Sequence, residues 1–417
     1  LRVLLLSQYY EPEPFKGDAL GGGLVRRGHR VTAVTGFPNY PLGRVYDGYR
    51  QRPWQREERA GVQVVRLPMY TDHSRSAARR ALNYGSFAAS ASVLGPALCG
   101  PQDVMWVHHP PLTVAAPALA ISTVRRVPFV LEIQDLWPET LGATGMVGSP
   151  RVLDAVGRAA AALYRRAAAL VVISHGFKRN LVAKGVPAEK VHVIHNWADE
   201  EVYRPVAPDP ELARRWGLDG RFNVLFAGNI GPAQALGTVL DAAERLRDLP
   251  DVQMVFVGEG VDLAALTASA ESRGLANVRF VPRQPPQAMP AFYALSDALL
   301  IHLRRDPLFE ITIPSKTLAY LACGRPILCA VPGDAADVIE RAGAGVTCPP
   351  ENAEALAAAV RRLYAMPADE REAMGAAGRA AYETEYSQQG ALDRYERLFA
   401  DVAARRPSSQ TSAAGAA

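Results

Sequence analysis

The chain has 417 residues, 49% of them hydrophobic and 21% charged. That length exceeds one ordinary core and predicts two domains, while the composition excludes an intrinsically disordered chain. A formal net charge of +4 conceals an asymmetry, since residues 1–200 hold 24 Lys/Arg against 15 Asp/Glu and residues 201–417 hold 22 against 27.

In chain order, short apolar runs rich in β-branched residues alternate with Ala/Leu/Arg stretches of helical character. Strands are predicted at 2–7, 29–36, 62–68, 103–109, 128–135, 169–174 and 191–196, with helices near 76–98, 112–125, 151–167 and 175–185. The proline- and charge-rich segment 197–220 breaks this rhythm as a linker does. A second series of strands follows at 222–229, 252–260, 277–283, 298–303, 325–331 and 344–349, then helices at 351–365, 369–385 and 387–403. The low-complexity tail 404–417 is expected to be disordered. The fold class is therefore α/β, with two Rossmann-like domains in tandem: 1–200 and 201–386. Ligands of such sheets bind beyond the carboxyl ends of the strands, so motifs there carry the chemistry.

In the second domain, "FAGNIGPAQAL" (226–236) places Gly228 and Gly231 at a strand-to-helix turn. "FVGEG" (256–260) puts Gly258 and Glu259 at a second such turn. Glycine there lets backbone N–H groups approach a phosphate, although most such glycines only shape the turn. "PSKTLAYLACGRPIL" (314–328) begins a helix with Pro314, Ser315 and Lys316. A helix start already attracts anions, and a lysine added there predicts an anionic ligand, read as a nucleotide diphosphate.

In the first domain, "HHPP" (108–111) and "EIQDLWPE" (132–139) end two strands. His108, His109, Asp135 and Glu139 are candidates for acid–base or hydrogen-bonding work. For Asp135, capping of the next helix is an equal alternative. The histidines lack the spacing of a zinc site. The four cysteines, Cys99, Cys323, Cys329 and Cys348, show no CxxC pattern and read as buried thiols of a reducing compartment. No G-x-S-x-G elbow, HExxH, Walker A loop or complete G-x-G-x-x-G is found. That excludes the common hydrolase, kinase and dehydrogenase signatures. The basic first half points to an anionic ligand or an anionic membrane surface rather than nucleic acid, because its arginines are dispersed without aromatic stacking partners; a merely solvated face is the bland alternative. The segment 75–100 starts basic with Arg75, Arg79 and Arg80 and turns apolar. It fits a helix at a membrane interface or a buried helix, the buried reading being preferred. No leader precedes the first strand candidate, and no run reaches the roughly 18 apolar residues of a spanning helix. A cytoplasmic protein is expected, peripheral on the inner face of the cell membrane.

The order and spacing of "RRGHRVTAVTGFPNYP" (26–41), "EIQDLWPE", "FAGNIGPAQAL" and "PSKTLAYLACGRPIL" resemble family 4 glycosyltransferases. The branch resembled is the bacterial O-antigen and capsule one that contains N-acetyl-L-fucosamine transferases. The resemblance implies a GT-B fold, two Rossmann-like domains facing across a cleft, with the terminal helix 387–403 crossing back to the first. It implies a retaining hexosyl or N-acetylhexosaminyl transferase that needs no cofactor and no obligatory metal. The donor would be a nucleotide-diphosphate sugar, UDP being favoured, and the acceptor a hydroxyl on a polyprenyl-diphosphate-linked glycan. The family's diphosphate-binding arginine and lysine fall on Asn229 and Gln234, which leaves Lys316 as the compensating charge with Arg283 as a helper. Its paired glutamates fall on Ile311 and Ala319, with Glu310 one residue early. Asp135 matches the family's aspartate, Gln134 stands where a histidine precedes it, and His108 and His109 are candidates for that histidine's role. In the first loop, Lys16 and Gly17 are what remains of a glycine pair. Alternatives are a non-catalytic nucleotide-sugar-binding partner subunit, a GT-B epimerase, and a transferase acting on a soluble acceptor.

Overall fold

The computed structural model describes residues 1–405, apart from 75, 144 and 145. All but the first two residues of the tail 404–417 therefore lie outside the described residues. The chain divides into two compact units. Unit 1 comprises Leu1–Ile173, Lys178–Ile194 and the chain from Leu392 on; unit 2 comprises Ser174–Phe177 and His195–Ala391.

Unit 1 is an eight-stranded sheet. Its strands are β1 (Arg2–Leu6), β2 (Arg30–Gly36), β3 (Gln55–Arg59), β4 (Val62–Leu67), β5 (Val104–His109), β6 (Phe129–Ile133), β7 (Ala169–Val172) and β8 (Val191–Val193). The spatial order is β3-β4-β2-β1-β5-β6-β7-β8, parallel except for β3 against β4. The central strands β5, β6 and β7 are buried along their whole length, which is why they read as unbroken apolar runs. β3 was not predicted. It is a polar edge strand, QREER, alternating half-buried with exposed residues, so no apolar signal marks it.

Lys16 and Gly17, read as part of the first loop, instead begin the helix Lys16–Arg26. Its glycines hid it, because glycine disfavours a helix interior. They are there for close approach: a Cβ on Gly21 would lie 2.8 Å from the Tyr10 hydroxyl, and one on Gly23 2.6 Å from Leu392.

Unit 2 is a six-stranded, wholly parallel sheet of β9 (Phe222–Asn229), β10 (Val252–Glu259), β11 (Val278–Val281), β12 (Ala298–His302), β13 (Ile327–Ala330) and β14 (Gly345–Thr347). The order is β11-β10-β9-β12-β13-β14. The chain builds outward from β9 through β10 to β11, then returns to the other side of β9 with β12. The β9/β12 pair is thus the topological switch point, where open α/β sheets leave a crevice at the carboxyl ends. Two apolar clusters cover the faces of this sheet, one holding Leu225, Ile301 and Tyr320, the other Phe226, Leu300 and Val360. The terminal helix, Gln388–Ala404, belongs to unit 1 from Leu392 on.

Candidate functional site

At the switch point of unit 2 lies a cavity of about 720 Å³. The carboxyl ends of β9 and β10 supply Gly228, Asn229, Gly258 and Glu259 to its wall. The segment after β11 supplies Arg283, and the helix Ser315–Cys323 supplies Ser315 and Lys316, with Pro314 just before it. Gln234 also lines it, from the turn Pro232–Gln234. Nine of the predicted donor residues therefore meet in one cavity.

Gly231 and Glu310 are not among the lining residues. Gly231 is extended, and a Cβ on it would fall 2.8 Å from the Asn229 amide nitrogen. Glu310 ends a short helix, Pro307–Glu310, with its side chain exposed and its carbonyl directly beneath Gly333. Ala319, where the resemblance would place a carboxylate, does line the cavity, as a methyl group.

Lys316 is the centre of the arrangement. Its Nζ sits 3.7 Å from the centroid of the Phe226 ring, and a Cβ on Gly228 would lie 3.3 Å from it. Among the described residues no carboxylate forms an ion pair with this ammonium. Desolvation pulls its pKa down to about 7. Pro314 occupies the N-cap position and offers no side-chain cap, and in the first turn the Thr317 N–H donates to the Pro314 carbonyl at 2.9 Å. The first N–H groups of this helix, the dipole and a half-neutralised lysine thus converge on one spot.

The positions that the resemblance assigns to a cationic pair are uncharged and bonded to each other, the Asn229 amide donating to Gln234 Oε1 at 3.3 Å. Arg283 pairs with Glu259 at 2.5 Å on the exposed rim. The turn bearing Gln234 is held from below by buried His302, whose Nδ1 lies 2.7 Å from the Gln234 carbonyl. The backbone N–H of Glu351 approaches its other nitrogen at 3.4 Å, so this imidazole is neutral with the proton on Nδ1. Burial likewise lowers its pKa.

The two glycine turns have a packing reason. Gly258 stands opposite Gly228 in the β9–β10 register, and a Cβ on Gly258 would lie 1.9 Å from the Gly228 carbonyl oxygen. Gly228 itself has φ +132°, a conformation side chains rarely adopt. The remaining wall is mostly apolar and aromatic, with Trp197, Tyr203, Met289, Tyr293 and Leu303, and carries two further polar groups, Asp199 and Gln284. Sequence reasoning missed these. Trp197 and Tyr203 come from the segment read as a linker, and only their type, aromatic residues amid prolines and charge, hinted at a binding role.

The other candidates lie in unit 1. His108 and His109 end β5, and both are buried; among the described residues neither ring nitrogen of His109 finds a hydrogen-bond partner. Burial drives its pKa down to about 3 and also lowers that of His108. The His109 ring meets Trp137 edge-on at 5.4 Å, and the Gln134 N–H donates to the His109 carbonyl at 2.9 Å. The capping alternative for Asp135 is not seen: among the described residues no hydrogen bond engages its carboxylate, and desolvation raises its pKa. Glu139 pairs with Lys184.

Lys16 and Gln134 converge on a group that sequence reasoning passed over, Glu132. This carboxylate is fully buried on β6. It accepts from Lys16 at 2.9 Å, Trp106 Nε1 at 2.6 Å, the Tyr395 hydroxyl at 2.8 Å and the Gln134 amide. Burial alone would raise its pKa, but the Lys16 charge and these donors hold it below the ordinary carboxylate value. Gly17 follows Lys16 beneath the Tyr10 ring and Trp106.

A second cavity, about 460 Å³, lies around Gly324. Its arginines are engaged, Arg325 with the Ser296 carbonyl, Arg371 with that of Leu363 and Arg379 with Glu383. Among the described residues no group of three or more His, Cys, Asp or Glu is gathered as a metal site, and no helix is long and apolar enough to cross a membrane.

Comparison with known proteins agrees with this geometry. Residues 209–381 match the family "Glycosyl transferases group 1", and residues 18–197 match "Glycosyl transferase 4-like domain". WcaI of Escherichia coli K12, a glycosyl transferase proposed for colanic acid biosynthesis, is 30% identical over 385 residues, 88% of this chain and 93% of its own. Among solved structures, sucrose-phosphate synthase of Thermosynechococcus elongatus is similar with a TM-score of 0.73 at 15% identity, over 97% of this chain and 99% of its own. Anabaena HepE in complex with UDP follows at 0.71 and 16%, over 96% and 100%. At such identities these two show the fold alone, the α/β GT-B fold.

Proposed function

The chain belongs to the group 1, family 4-like glycosyltransferases, and from that premise we propose that it moves a sugar from a UDP-sugar to a hydroxyl acceptor with retention of configuration. The observation that carries this reading is Lys316, a desolvated cation at an uncapped helix start on the cavity wall that, among the described residues, has no carboxylate partner. A donor's diphosphate is the counter-charge that this spot lacks. UDP is favoured because HepE, a structural neighbour, was solved with it.

As the glycosidic bond breaks, negative charge grows on the β-phosphate. Lys316 and the free N–H groups at Ser315 and Lys316 stabilise that charge without reorganising, because the helix already fixes them. The backbone at Gly228 leaves room for the phosphates, and the aromatic wall of Trp197, Tyr203 and Tyr293 is suited to the base and ribose. Ala319 supplies no carboxylate, so ribose selection falls to other polar groups of the wall. Departure of the diphosphate and approach of the acceptor hydroxyl from the same face give retention without an enzyme nucleophile. No metal is needed in this reading, since Lys316 and the helix start neutralise the leaving group; chelator should leave turnover unchanged.

The acceptor we propose is a polyprenyl-diphosphate-linked glycan, reached at an anionic membrane surface by the basic first domain. WcaI's assignment to colanic acid biosynthesis supports it. An N-acetylhexosamine of the fucosamine kind is the sugar favoured by the resemblance in sequence. The test is a panel of UDP-, GDP- and dTDP-sugars followed by thermal stabilisation and by slow donor hydrolysis. Stabilisation and hydrolysis confined to UDP-sugars support the reading. Stabilisation without hydrolysis or transfer assigns the chain as a binding subunit instead, and no stabilisation by any donor refutes it.

A further inference from the structure

The helix Ala77–Leu98 packs on the helix Ala115–Arg125 and on β4, burying Asn83, Phe87, Ala88 and Ala91. Its other face is left bare. Leu82, Gly85, Ala89, Val93 and Ala97, spaced three or four apart, are exposed, Leu82 at 54% and Val93 at 75%. On the neighbouring helix Val124 is 65% exposed. A face of several turns without one charge is unusual on a solvated helix, whose outward side normally carries charged residues. The preferred reading of segment 75–100 as a buried helix thus holds for only one side of it.

Charge frames this face. Arg79 and Arg80 lie in its first turn, with Asp72 3.6 Å from Arg79. At its other end Arg56 donates to the Leu98 carbonyl at 3.1 Å, and Arg125 to those of Pro96 and Ala97, with exposed Arg126 beside it. These arginines satisfy the helix's last carbonyls and fix positive charge there. Between Asp72 and Glu132 the sequence holds five arginines and a single acid, Asp103, which Arg2 neutralises at 2.5 Å.

We propose that this helix face docks unit 1 on an anionic lipid bilayer, the apolar strip lying in the headgroup boundary and the arginines at its two ends on lipid phosphates. An apolar strip bracketed by cations fits that partner, because small side chains insert shallowly and each nearby cation adds electrostatic attraction. This deepens the lipid-linked acceptor reading and rests on it. It assigns the surface through which such an acceptor is reached.

The test is co-sedimentation of the full chain with phosphatidylcholine vesicles, with and without phosphatidylglycerol, at rising salt. Wild type should bind only the anionic vesicles and be released by salt. Leu82→Asp with Val93→Asp should abolish binding, and Arg79→Glu should weaken it by about fivefold or more. Arg361→Glu, on the surface of unit 2, should bind as wild type. UDP stabilisation measured on the same variants, without lipid, should be unchanged. Wild type that ignores anionic vesicles, or a double variant that binds them normally, overturns the proposal. A wild-type dimer that the double variant turns into a monomer assigns the face to a second copy and also overturns it. Loss of the transferase reading would show separately, as absent UDP binding in wild type.

Discussion

Lys316 joins two properties that pull against each other in the empty protein. Burial disfavours its ammonium, against the attraction of the Phe226 ring face, while the nearby helix start favours an anion beside it. A bound diphosphate resolves this by restoring the ordinary pKa. Affinity for a UDP-sugar, whose diphosphate does not titrate near neutrality, should therefore be greatest below pH 7. It should fall as pH rises from about 7 towards the bound-state pKa, with uptake of a proton on binding; calorimetry in two buffers of different ionisation heat reads both. For the empty fold the sign is opposite. The folded pKa lies below the unfolded one, so the cost of burying this charge is full below pH 7 and fades as pH rises above it. Lys316→Met should accordingly leave the empty protein as stable as wild type or more so at pH 6. It should also lower kcat by about 100-fold or more, the scale of losing one preorganised donor.

The cavity's shape is set at the level of strand ends. Gly228 and Gly258 meet in register, so Gly258→Ala forces the β9 and β10 termini apart. A cost of about 2–3 kcal/mol is expected, as for an overpacked core, read as an earlier melting transition with weakened UDP binding. His302→Ala should act differently. It removes the hydrogen bond that holds the turn bearing Gln234 and raises KM for the donor, with some loss of melting temperature as well because His302 is itself buried. These elements were readable to unequal degrees. Strands such as β5 and β9 announce themselves because both faces are buried, and Lys316 because a lysine at a helix start has few structural uses. β3 and the helix Lys16–Arg26 were silent, one lacking apolar residues, the other crowded with glycine. Glu132, Trp197 and Tyr203 acquire meaning only from partners far along the chain, which no local pattern reveals.

At the scale of the whole molecule, the last helix closes unit 1 through Glu132, joining Lys16, Trp106 and Tyr395 across most of the sequence. Removing the charge by Glu132→Gln takes away the carboxylate that the buried Lys16 ammonium faces, which costs about 3–5 kcal/mol. Because the folded pKa of Glu132 is depressed, its contribution is present above the ordinary carboxylate pKa and is lost as pH falls below about 4. The variant should therefore lose most stability at neutral pH and differ least from wild type in acid. The cavity around Lys316 lies in unit 2, while the bare helix face belongs to unit 1.

Everything proposed for the cavity turns on the diphosphate of a UDP-sugar binding at Lys316. Titration of UDP into wild type and Lys316→Met at pH 6.5, each checked for an intact melting transition, tests it most directly. Saturable binding to wild type is expected, with a loss of about tenfold or more in the folded variant, the scale of a charged hydrogen bond. Equal affinity in the two proteins would contradict it.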